Sequence, residues 1–462
     1  MEIQDDHAED QEHLMADSKR SNQNSTQIMD VEEIACSIRE KLFQTYQLQP
    51  SSQYCSIFRV PKMLRRHNEK AFLPEVVSIG PFHHENTELQ AKEIIKLQYL
   101  KCFLCRTGTA KLEYLVEAID RIEQDCRECY AEVVDLSRKK FIEMMVIDGC
   151  FILEFLYRYQ QKRGGKQGED DPVFKTSWMP RKIIADLLLL ENQLPWCVLD
   201  CLFNSMPSLK TTHQRCSRLD DLVSFSFSEY KIFPAAHSAR SHEKHAHLLD
   251  CFRNCLLDGS CALKRRNYSE ALEWKPVKPV TELILHGIEP LKAKDGANIL
   301  NVKYEEDEME IPEIVIEENT ESVFRNLIAF EHCDPRKGYE ITSYAALLDC
   351  LIKSPADALK LEQKGILRII GLSNEDRASF LNRLLYNNDT SFHGFLYSDL
   401  CQDVNNIFSF RGKQLKTILR REYFGDPWAL ITFLGGVVFS LIFSLIQTVF
   451  SILSYTASKP GK

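Results

Sequence analysis

The sequence predicts a mainly α-helical protein with a minor β hairpin or small sheet and one C-terminal transmembrane helix. Through residues 88–159, apolar residues recur every three or four positions, as they do in helices that pack on a core. The clearest β signal lies between residues 299 and 316, where NILNVKY and IPEIVI flank the acidic turn Glu305–Glu308. Residues 428–453 contain no charged side chain, which is typical of a membrane span.

Composition places the chain among acidic proteins of globular type. It has 462 residues, of which 44% are hydrophobic and 27% charged, and its formal net charge is −9. A chain of this length and composition can bury a core. Because a nucleic-acid-binding protein would normally show a basic patch or domain, no nucleic-acid partner is expected.

The N-terminal segment carries no secretory signal. Residues 1–30 are acidic, polar and almost free of aromatic side chains, so they lack a basic start and an apolar run and are predicted to be disordered. A disulfide framework is not expected without secretion. The 16 cysteines are therefore predicted to be reduced thiols.

Residues 31–424 are predicted to form one mostly helical domain. A helix is expected to begin after Asp30, a residue suited to cap a helix N-terminus. Two short β-type runs follow, at about Cys55–Val60 and Glu75–Ile79, with prolines between and after them.

The middle of this domain combines apolar and polar stretches. Ile183–Leu190 is almost entirely apolar and predicts a central buried helix, which Pro195 ends or kinks. Residues 204–246 are rich in Ser and His and predict a long variable loop. Further helices are predicted at about His247–Leu257, Ser322–His332, Tyr344–Ile352 and Ala378–Leu385.

The uncharged segment 428–453 is predicted to cross a membrane once. A helix of about 26 residues is about 39 Å long, enough for a hydrocarbon core of about 30 Å. Positive charges are more frequent before the segment than in the short tail 454–462, which predicts a tail-anchored protein with the bulk of the chain in the cytosol. The upstream charges are Arg411, Lys413, Lys416, Arg420 and Arg421, and the downstream ones are Lys459 and Lys462.

One face of the predicted span has small or polar residues at every fourth position. These residues are Gly436, Ser440, Ser444 and Thr448, with Gln447 close to the same face. Small residues let two helices approach closely, and a glutamine can hydrogen-bond across the interface. Self-association through this face is one expectation, and mere tolerance of small polar residues is the alternative.

Signatures of catalysis and of cofactor binding are absent from the sequence. It contains no GxGxxG, GxxxxGK[ST], GxSxG or HExxH pattern. Asp148, Glu154 and Glu191 adjoin apolar stretches, where burial could tune a carboxyl group for acid–base chemistry. The favoured interpretation is that they satisfy backbone groups at helix ends or in adjoining loops. No catalytic residue and no cofactor are therefore predicted.

Two patterns resemble metal sites. Cys102-x-x-Cys105 and Cys126-x-x-Cys129 have the spacing of zinc ligands, but both pairs lie in helical sequence and would be far apart in an antiparallel hairpin that turns at residues 107–109. Only a break in the second helix would allow the four sulfur atoms to share one metal. A second group of candidate ligands consists of His237, His242, His245 and His247. This group falls in the polar insert and is predicted to be a solvated loop, so no metal is expected.

His83 and His84 follow a turn sequence, Gly80-Pro81-Phe82. Adjacent residues in an extended chain point to opposite sides, so the two imidazoles are not expected to share a ligand. A structural or hydrogen-bonding role is the favoured interpretation.

Several long sequence blocks resemble a plant family, the domain of unknown function 247. The blocks are IFRVPKMLRRHNEKAFLPEVVSIGPFHH at Ile57–His84, MMVIDGCFILEFL at Met144–Leu156, DLLLLENQLPWCVLDCLF at Asp186–Phe203, TELILHGI at Thr281–Ile288, FRNLIAFEHC at Phe324–Cys333 and YFGDPWALI at Tyr423–Ile431. They span roughly residues 55 to 450 in the family's order.

The resemblance implies a mostly helical, plant-specific protein that ends in one membrane helix. The family has no established enzymatic activity and offers no catalytic residues to transfer. Some grass members are associated with self-incompatibility and others with reproductive development. The resemblance therefore favours a recognition or signalling protein at the plasma membrane, with an unidentified protein partner. The alternatives are an unrecognised enzyme that uses buried carboxylates and histidines, and a structural or trafficking tail-anchored protein.

Overall fold

A computed structural model describes most of the chain between residues 31 and 457. The described ranges are 31–42, 55–66, 68–107, 112–165, 171–205, 218–228, 244–258, 260, 274–371, 394–423 and 427–457, without the side chains of 411–435, 437, 453 and 455–457. The segment 1–30 predicted to be disordered and the helix predicted at Ala378–Leu385 lie outside these ranges. Most of the predicted turn at 107–109 lies outside them too.

Helices make up most of the described structure. In chain order they are α1 (31–42), α2 (Lys62–Arg65), α3 (Thr87–Gln90), α4 (Glu93–Thr107), α5 (Leu112–Asp120), α6 (Glu123–Glu128), α7 (Arg138–Arg163), α8 (Met179–Asp186), α9 (Trp196–Asn204), α10 (Leu219–Phe227), α11 (Leu248–Leu257), α12 (Val280–Leu285), α13 (Thr320–Cys333), α14 (Glu340–Leu351), α15 (Pro355–Gln363), α16 (Ser398–Tyr423) and α17 (Pro427–Ala457). The strands are short: β1 (Glu289–Lys292), β2 (Lys303–Glu305), β3 (Glu308–Ile311), β4 (Ile314–Ile316) and β5 (Leu367–Ile369). The prediction of a mainly helical fold with a small amount of sheet is confirmed.

The chain divides into two compact units. The first comprises residues 1–229, 236–258 and 322–336, and the second comprises 230–235, 259–321 and 337–462. The first unit is therefore assembled from segments that are far apart in the sequence.

The first unit is built around α7. Ser137 caps its N-terminus by accepting the N–H of Lys140, and the helix ends before Gly164. Its apolar side chains are buried on several sides because α4, α5, α9 and α10 all pack against it. Gly149 marks the approach of α9, since a Cβ there would lie 2.4 Å from the Leu202 side chain. The helices predicted for 88–159 are confirmed.

Three predictions for the first unit need correction. Neither β-type run forms a strand: Ile57 makes an isolated parallel bridge to Tyr130, and residues 75–80 pair with side chains instead. The Ile183–Leu190 run is buried, but α8 ends at Asp186 and turns follow. The helix therefore ends well before Pro195, which instead precedes α9 as its N-cap residue.

The predicted loop at 204–246 contains regular structure. Its residues 219–227 form α10, with Leu222, Val223 and Phe227 buried, so the prediction of a continuous loop is wrong for this part. Residues 206–217 and 229–243 lie outside the described ranges. The helix predicted at His247–Leu257 is confirmed as α11, which His247 caps.

The second unit contains two small sheets. In the first sheet β3 lies between β1 and β2, with β2–β3 antiparallel and β1–β3 parallel. Glu306 and Asp307 turn the β2–β3 hairpin with positive φ values of 49° and 70°. The predicted hairpin is confirmed, but Ile314–Ile316 leaves it and pairs in parallel with β5 in a second sheet.

Helices flank these sheets in the second unit. The N-terminus of α15 has a capping box in which Ser354 and Asp357 satisfy each other's backbone N–H groups. Asp357 also accepts a hydrogen bond from the Thr281 hydroxyl at 2.6 Å, which joins α15 to α12. The helix predicted at Tyr344–Ile352 is confirmed as α14; that predicted at Ser322–His332 is confirmed within α13, most of which belongs to the first unit.

The C-terminal helix α17 exposes large apolar side chains between residues 438 and 452. Within the ranges that the structure describes, no helix has the length and apolar character that crossing a membrane requires. The predicted span 428–453 begins in residues whose side chains lie outside those ranges.

Candidate functional site

Side chains hold an irregular segment, residues 75–80, in the first unit; we call it the clasped segment. Asp186, the last residue of α8, accepts the backbone N–H groups of three consecutive residues. The distances are 3.0 Å to Glu75, 2.7 Å to Val76 and 2.9 Å to Val77. Burial raises the pKa of Asp186 to about 7, while these three donors oppose the rise. The carboxyl group thus replaces the strand that would otherwise satisfy this backbone.

Asn192 continues the support of the clasped segment. Its side-chain oxygen accepts the Ile79 N–H at 2.7 Å, and its amide group donates to the carbonyl oxygens of Val77 and Asp186 at 3.1 and 2.9 Å. Gln193 donates to the Leu187 carbonyl at 2.8 Å, which stabilises the turns after α8. The polar residues that follow the apolar run are thus buried and hydrogen-bonded to backbone.

Asp148 of α7 holds the end of the clasped segment. It accepts the Gly80 N–H at 2.9 Å and pairs with Lys96 of α4 at 2.8 Å. Both charged side chains are almost completely buried, at 2% and 1% exposure. Burial raises the pKa of Asp148, and attraction to Lys96 opposes that rise. Burial alone would lower the pKa of Lys96, but its attraction to Asp148 and Glu93 raises it.

Glu191 forms a second ionic group with residues from the N-terminal part of the first unit. Its Oε1 accepts the Val60 N–H at 2.5 Å and a hydrogen bond from Arg65, and its Oε2 lies 3.4 Å from His83 Nε2. The guanidinium of Arg59 is 3.9 Å from Oε2 and covers the ring of Phe82 at 4.4 Å. Although burial opposes it, the nearby His83 imidazole and the hydrogen bonds from Arg65 and Val60 hold the pKa of Glu191 below its usual value.

Glu154 belongs to a third ionic group. It accepts hydrogen bonds from Arg106 at 2.6 Å and from Arg158 at 2.7 Å. Arg158 also contacts Asp171 at 2.6 Å, and the Tyr99 hydroxyl donates to the same carboxylate at 2.8 Å. Each carboxylate in this group therefore has positively charged or hydroxyl partners.

Of the candidate acids and bases, only Glu191 and His83 contact each other among the contacts described above, whereas Asp148 pairs with Lys96 and Glu154 with arginines. Asp148 and Glu191 accept backbone N–H groups, as the sequence interpretation proposed, whereas Glu154 pairs with two arginines instead. Glu191 and His83 are brought together, and His83 is only 9% exposed. The sequence interpretation missed Asp186; its only signal was one acidic residue within an apolar stretch.

The cysteine pattern does not assemble as its spacing indicates. Helices α5 and α6 are separate, and the sulfur of Cys126 lies 3.8 Å from that of Cys197, on α9. Among the residues that the structure describes, no group of three or more His, Cys, Asp or Glu side chains could hold a metal ion.

The prediction that four histidines lie in a solvated loop is wrong for two of them. His247 is completely buried and caps α11, and His245 is 6% exposed with its ring 4.9 Å from that of Trp196. His237 and His242 lie outside the described residues.

The small-residue face of α17 is exposed at each of its predicted positions. The Thr448 hydroxyl donates to the Ser444 carbonyl of its own helix at 2.7 Å, and no described atom beyond the helix's own backbone lies within 4 Å of a Cβ built at Gly436. This face, which also includes Ser440 and Gln447, is thus exposed, and its pairing with a second helix stays a prediction.

Comparison with known families decides the relationship of the chain. The model of a family described as DUF247, plant protein of unknown function, matches residues 57–442. The chain belongs to the DUF247 family. This DUF247 protein is 29% identical to the UPF0481 protein At3g47200 of Arabidopsis thaliana over 439 residues, which cover 88% of each chain. It is 23% identical to the putative UPF0481 protein At3g02645 of Arabidopsis thaliana, over 84% of this chain and 89% of the relative. No solved structure matches it.

Three of the sequence blocks that resemble DUF247 proteins meet around the clasped segment. Ile57–His84 contains the segment itself, Met144–Leu156 contributes Asp148, and Asp186–Phe203 contributes Asp186 and Asn192. The polar residues of these blocks thus build the first unit.

Proposed function

We propose that this DUF247 protein is a membrane-anchored, non-enzymatic recognition or signalling protein. The proposal rests chiefly on one observation: several buried carboxylate and amide side chains of the protein hydrogen-bond to its own backbone. Asp148, Asp186 and Asn192 bind the clasped segment, and Glu154 is paired with arginines. A buried polar group with such partners specifies a structure, since losing any partner leaves a buried group unsatisfied.

A recognition role is favoured by the family rather than by one site. The family resemblance implies roles in self-incompatibility and reproductive development, which depend on contacts between proteins. The partner would be a protein, and two copies could also associate through the face of α17 that contains Gly436 and Ser440.

Membrane anchorage is supported by the composition of the C-terminal segment. Residues 428–453 carry no charge, and α17 exposes Phe439, Phe443 and Phe450 by 61–71%. In water such exposure of large apolar side chains is unfavourable, whereas in lipid it is favourable. The excess of positive charge upstream favours a cytosolic location for the rest of the chain, and the family favours the plasma membrane.

A complementation experiment tests the recognition role. A plant line that lacks this gene is given the full chain, the chain with 428–453 replaced by an unrelated membrane helix, and a His83→Gln variant. We expect all three chains to reverse the phenotype of the line, because the folded domain makes the contacts with the partner and the anchor only holds it at the membrane. His83→Gln keeps a hydrogen-bonding group beside Glu191 but cannot transfer a proton as histidine does.

Two outcomes contradict the recognition role. Loss of function with the unrelated helix would favour a structural or trafficking protein whose anchor acts directly. Loss with a folded His83→Gln variant would favour an enzyme. Circular dichroism and thermal unfolding show whether each variant is folded.

Protease protection tests the anchor and its orientation. Microsomes and plasma-membrane vesicles carrying the full chain, or a chain that stops before Trp428, are treated with protease and with carbonate. We expect the full chain to stay in the carbonate pellet, its large domain to be digested from the cytosolic side, and the shortened chain to be soluble. Carbonate release of the full chain would contradict the anchor, and protection of the domain would reverse its orientation.

A further inference from the structure

Three thiols meet beside the N-terminus of α9; we call them the thiol cluster. Cys126 lies on α6, Cys129 directly follows that helix, and Cys197 is the second residue of α9. The sulfur atoms of Cys126 and Cys197 are 3.8 Å apart, although 71 positions separate them in the sequence. Both residues belong to the first unit, so its fold creates this pair.

The three thiols differ in their access to solvent. Cys197 is exposed, Cys129 is intermediate, and Cys126 is completely buried. The Cys129 thiol donates to the Asp125 carbonyl at 3.3 Å, and the Cys201 thiol, one turn along α9, donates to the Ala118 carbonyl at 3.8 Å. A dissolved oxidant therefore meets Cys197 first, and the buried sulfur of Cys126 stands behind it.

The surroundings of Cys197 favour its thiolate. The neighbouring Cys126 and Cys129 thiols, and then the Val198 N–H, lower the pKa of Cys197, although desolvation of its sulfur opposes this. The first turn of a helix adds further attraction for negative charge. Because the thiolate is the nucleophilic form of cysteine, Cys197 is the most reactive member of the cluster.

We propose that Cys197 and Cys126 form a reversible dithiol that responds to hydroperoxides. The Cys197 thiolate attacks the peroxide, so an S–O bond forms, the O–O bond breaks, and the leaving oxygen takes a proton. The Cys126 sulfur then attacks the sulfenic acid; an S–S bond forms, the S–O bond breaks, and water leaves with the Cys126 proton. With hydrogen peroxide, the two thiols lose two electrons and the peroxide is reduced to two molecules of water.

The product would cross-link two segments of the first unit. Forming the bond requires the sulfur atoms to close from 3.8 Å to about 2.05 Å, which side-chain rotation can supply. The disulfide would then join α6 directly to α9, which packs on α5 and α7. A reductant of the dithiol class would open it by thiol exchange and be oxidised to its own disulfide. The proposal does not depend on the recognition role of the protein.

The full chain, reduced and held in detergent micelles, is treated with stoichiometric hydrogen peroxide, alkylated and digested for peptide mass spectrometry. We expect one linked peptide pair that contains Cys126 and Cys197, lighter by two hydrogen atoms and separated again by dithiothreitol. Thermal unfolding of the oxidised chain should shift upward by several degrees. In the absence of peroxide, Cys197 should be alkylated at least about tenfold faster than Cys105, an exposed thiol of α4.

Matched variants separate this pairing from general oxidation. Cys197→Ser should abolish the link. Cys126→Ser should leave a sulfenic acid on Cys197 that dimedone labels, and Cys129→Ser should leave the link intact. A link between Cys197 and Cys129 that Cys129→Ser abolishes would overturn the proposal, and so would oxidation of Cys105 in preference to Cys197. Circular dichroism of Cys126→Ser and Cys126→Ala, each compared with the parent chain, shows whether the variants are folded.

Discussion

Two non-helical regions of the molecule satisfy their backbones in opposite ways. In the second unit, β3 hydrogen-bonds through its main chain to β1 and β2. In the first unit, the clasped segment is bound by the side chains of Asp186, Asn192 and Asp148. Main-chain pairing tolerates many side chains, whereas side-chain pairing depends on particular residues. The backbone is therefore far more sensitive to substitution of the residues that bind it in the clasped segment than in the sheet.

Removing the Asp186 carboxyl group should break the clasped segment most severely. Asp186→Ala leaves the buried N–H groups of Val76 and Val77, and that of Glu75, without acceptors. We expect the free energy of unfolding to fall by about 3–5 kcal/mol. Denaturant titration measures the loss, and hydrogen exchange should quicken at amides 75–77. Asp186→Asn, which keeps one carbonyl oxygen, should lose less; equal losses would show that the hydrogen bonds do not matter.

Substitution of Gly80 tests how tightly the end of the clasped segment is enclosed. Gly80 has φ 71° and ψ −172°, a conformation that side chains disfavour, and a Cβ there would lie 2.5 Å from the Gln193 carbonyl oxygen. Gly80→Ala should lower the free energy of unfolding by about 3 kcal/mol. Gly165 has φ 80°, and among the described residues no atom other than those of its chain neighbours lies within 4 Å of a Cβ, so Gly165→Ala should cost only about 1 kcal/mol. Similar losses in denaturant titration would contradict the close contact.

The pH dependence of stability tests the neighbouring Glu191. Its pKa is lower in the folded protein, so its contribution is present above the unfolded pKa of about 4.3 and is lost as pH falls through the folded value. Glu191→Gln should therefore be about 2 kcal/mol less stable than the parent at neutral pH. The difference should shrink below about pH 4 in denaturant titrations at each pH. A difference that does not change with pH would assign the loss to packing.

Substitutions in the first sheet of the second unit should change the free energy of unfolding least. Glu310 of β3 lies 3.7 Å from Lys303 of β2, and both side chains are more than one-third exposed. Glu310→Ala keeps the main-chain pairing, so the free energy of unfolding should change by less than about 0.5 kcal/mol. A loss comparable to that of Asp186→Ala would remove the distinction between the two regions.

The same contrast explains what the sequence could predict. The hairpin of β2 and β3 depends on neighbouring residues and on a turn, so local alternation predicts it. The run at 75–79 has the same β character, but its acceptors come from residues 148, 186 and 192. No local pattern reveals which distant side chain will replace a strand. The helix predicted over 183–190 failed for a related reason, because burial is visible in an apolar run whereas the helix end at Asp186 is not.

The cluster of thiols was beyond sequence reasoning for another reason. Cys126 and Cys129 have metal-ligand spacing, and that spacing directs attention to Cys102 and Cys105. The sulfur that Cys126 meets belongs to Cys197, which the packing of α9 brings to it. Periodicity indicates which residues share a helix face, and it does not indicate which helices become neighbours.

Because its segments are separated in the sequence, the first unit can be completed only late in biosynthesis. Its last segment, 322–336, ends 78 residues after residue 258, so a ribosome needs about 4–16 s to complete it. Until then Arg253 has no Glu331 to contact at 2.9 Å, and the Ala71 carbonyl lacks the Asn326 amide. During this time part of the core of the first unit is exposed in the nascent chain, and chaperones can bind it. A chain terminated just before residue 322 would lack this segment altogether and would keep that part of its core uncovered.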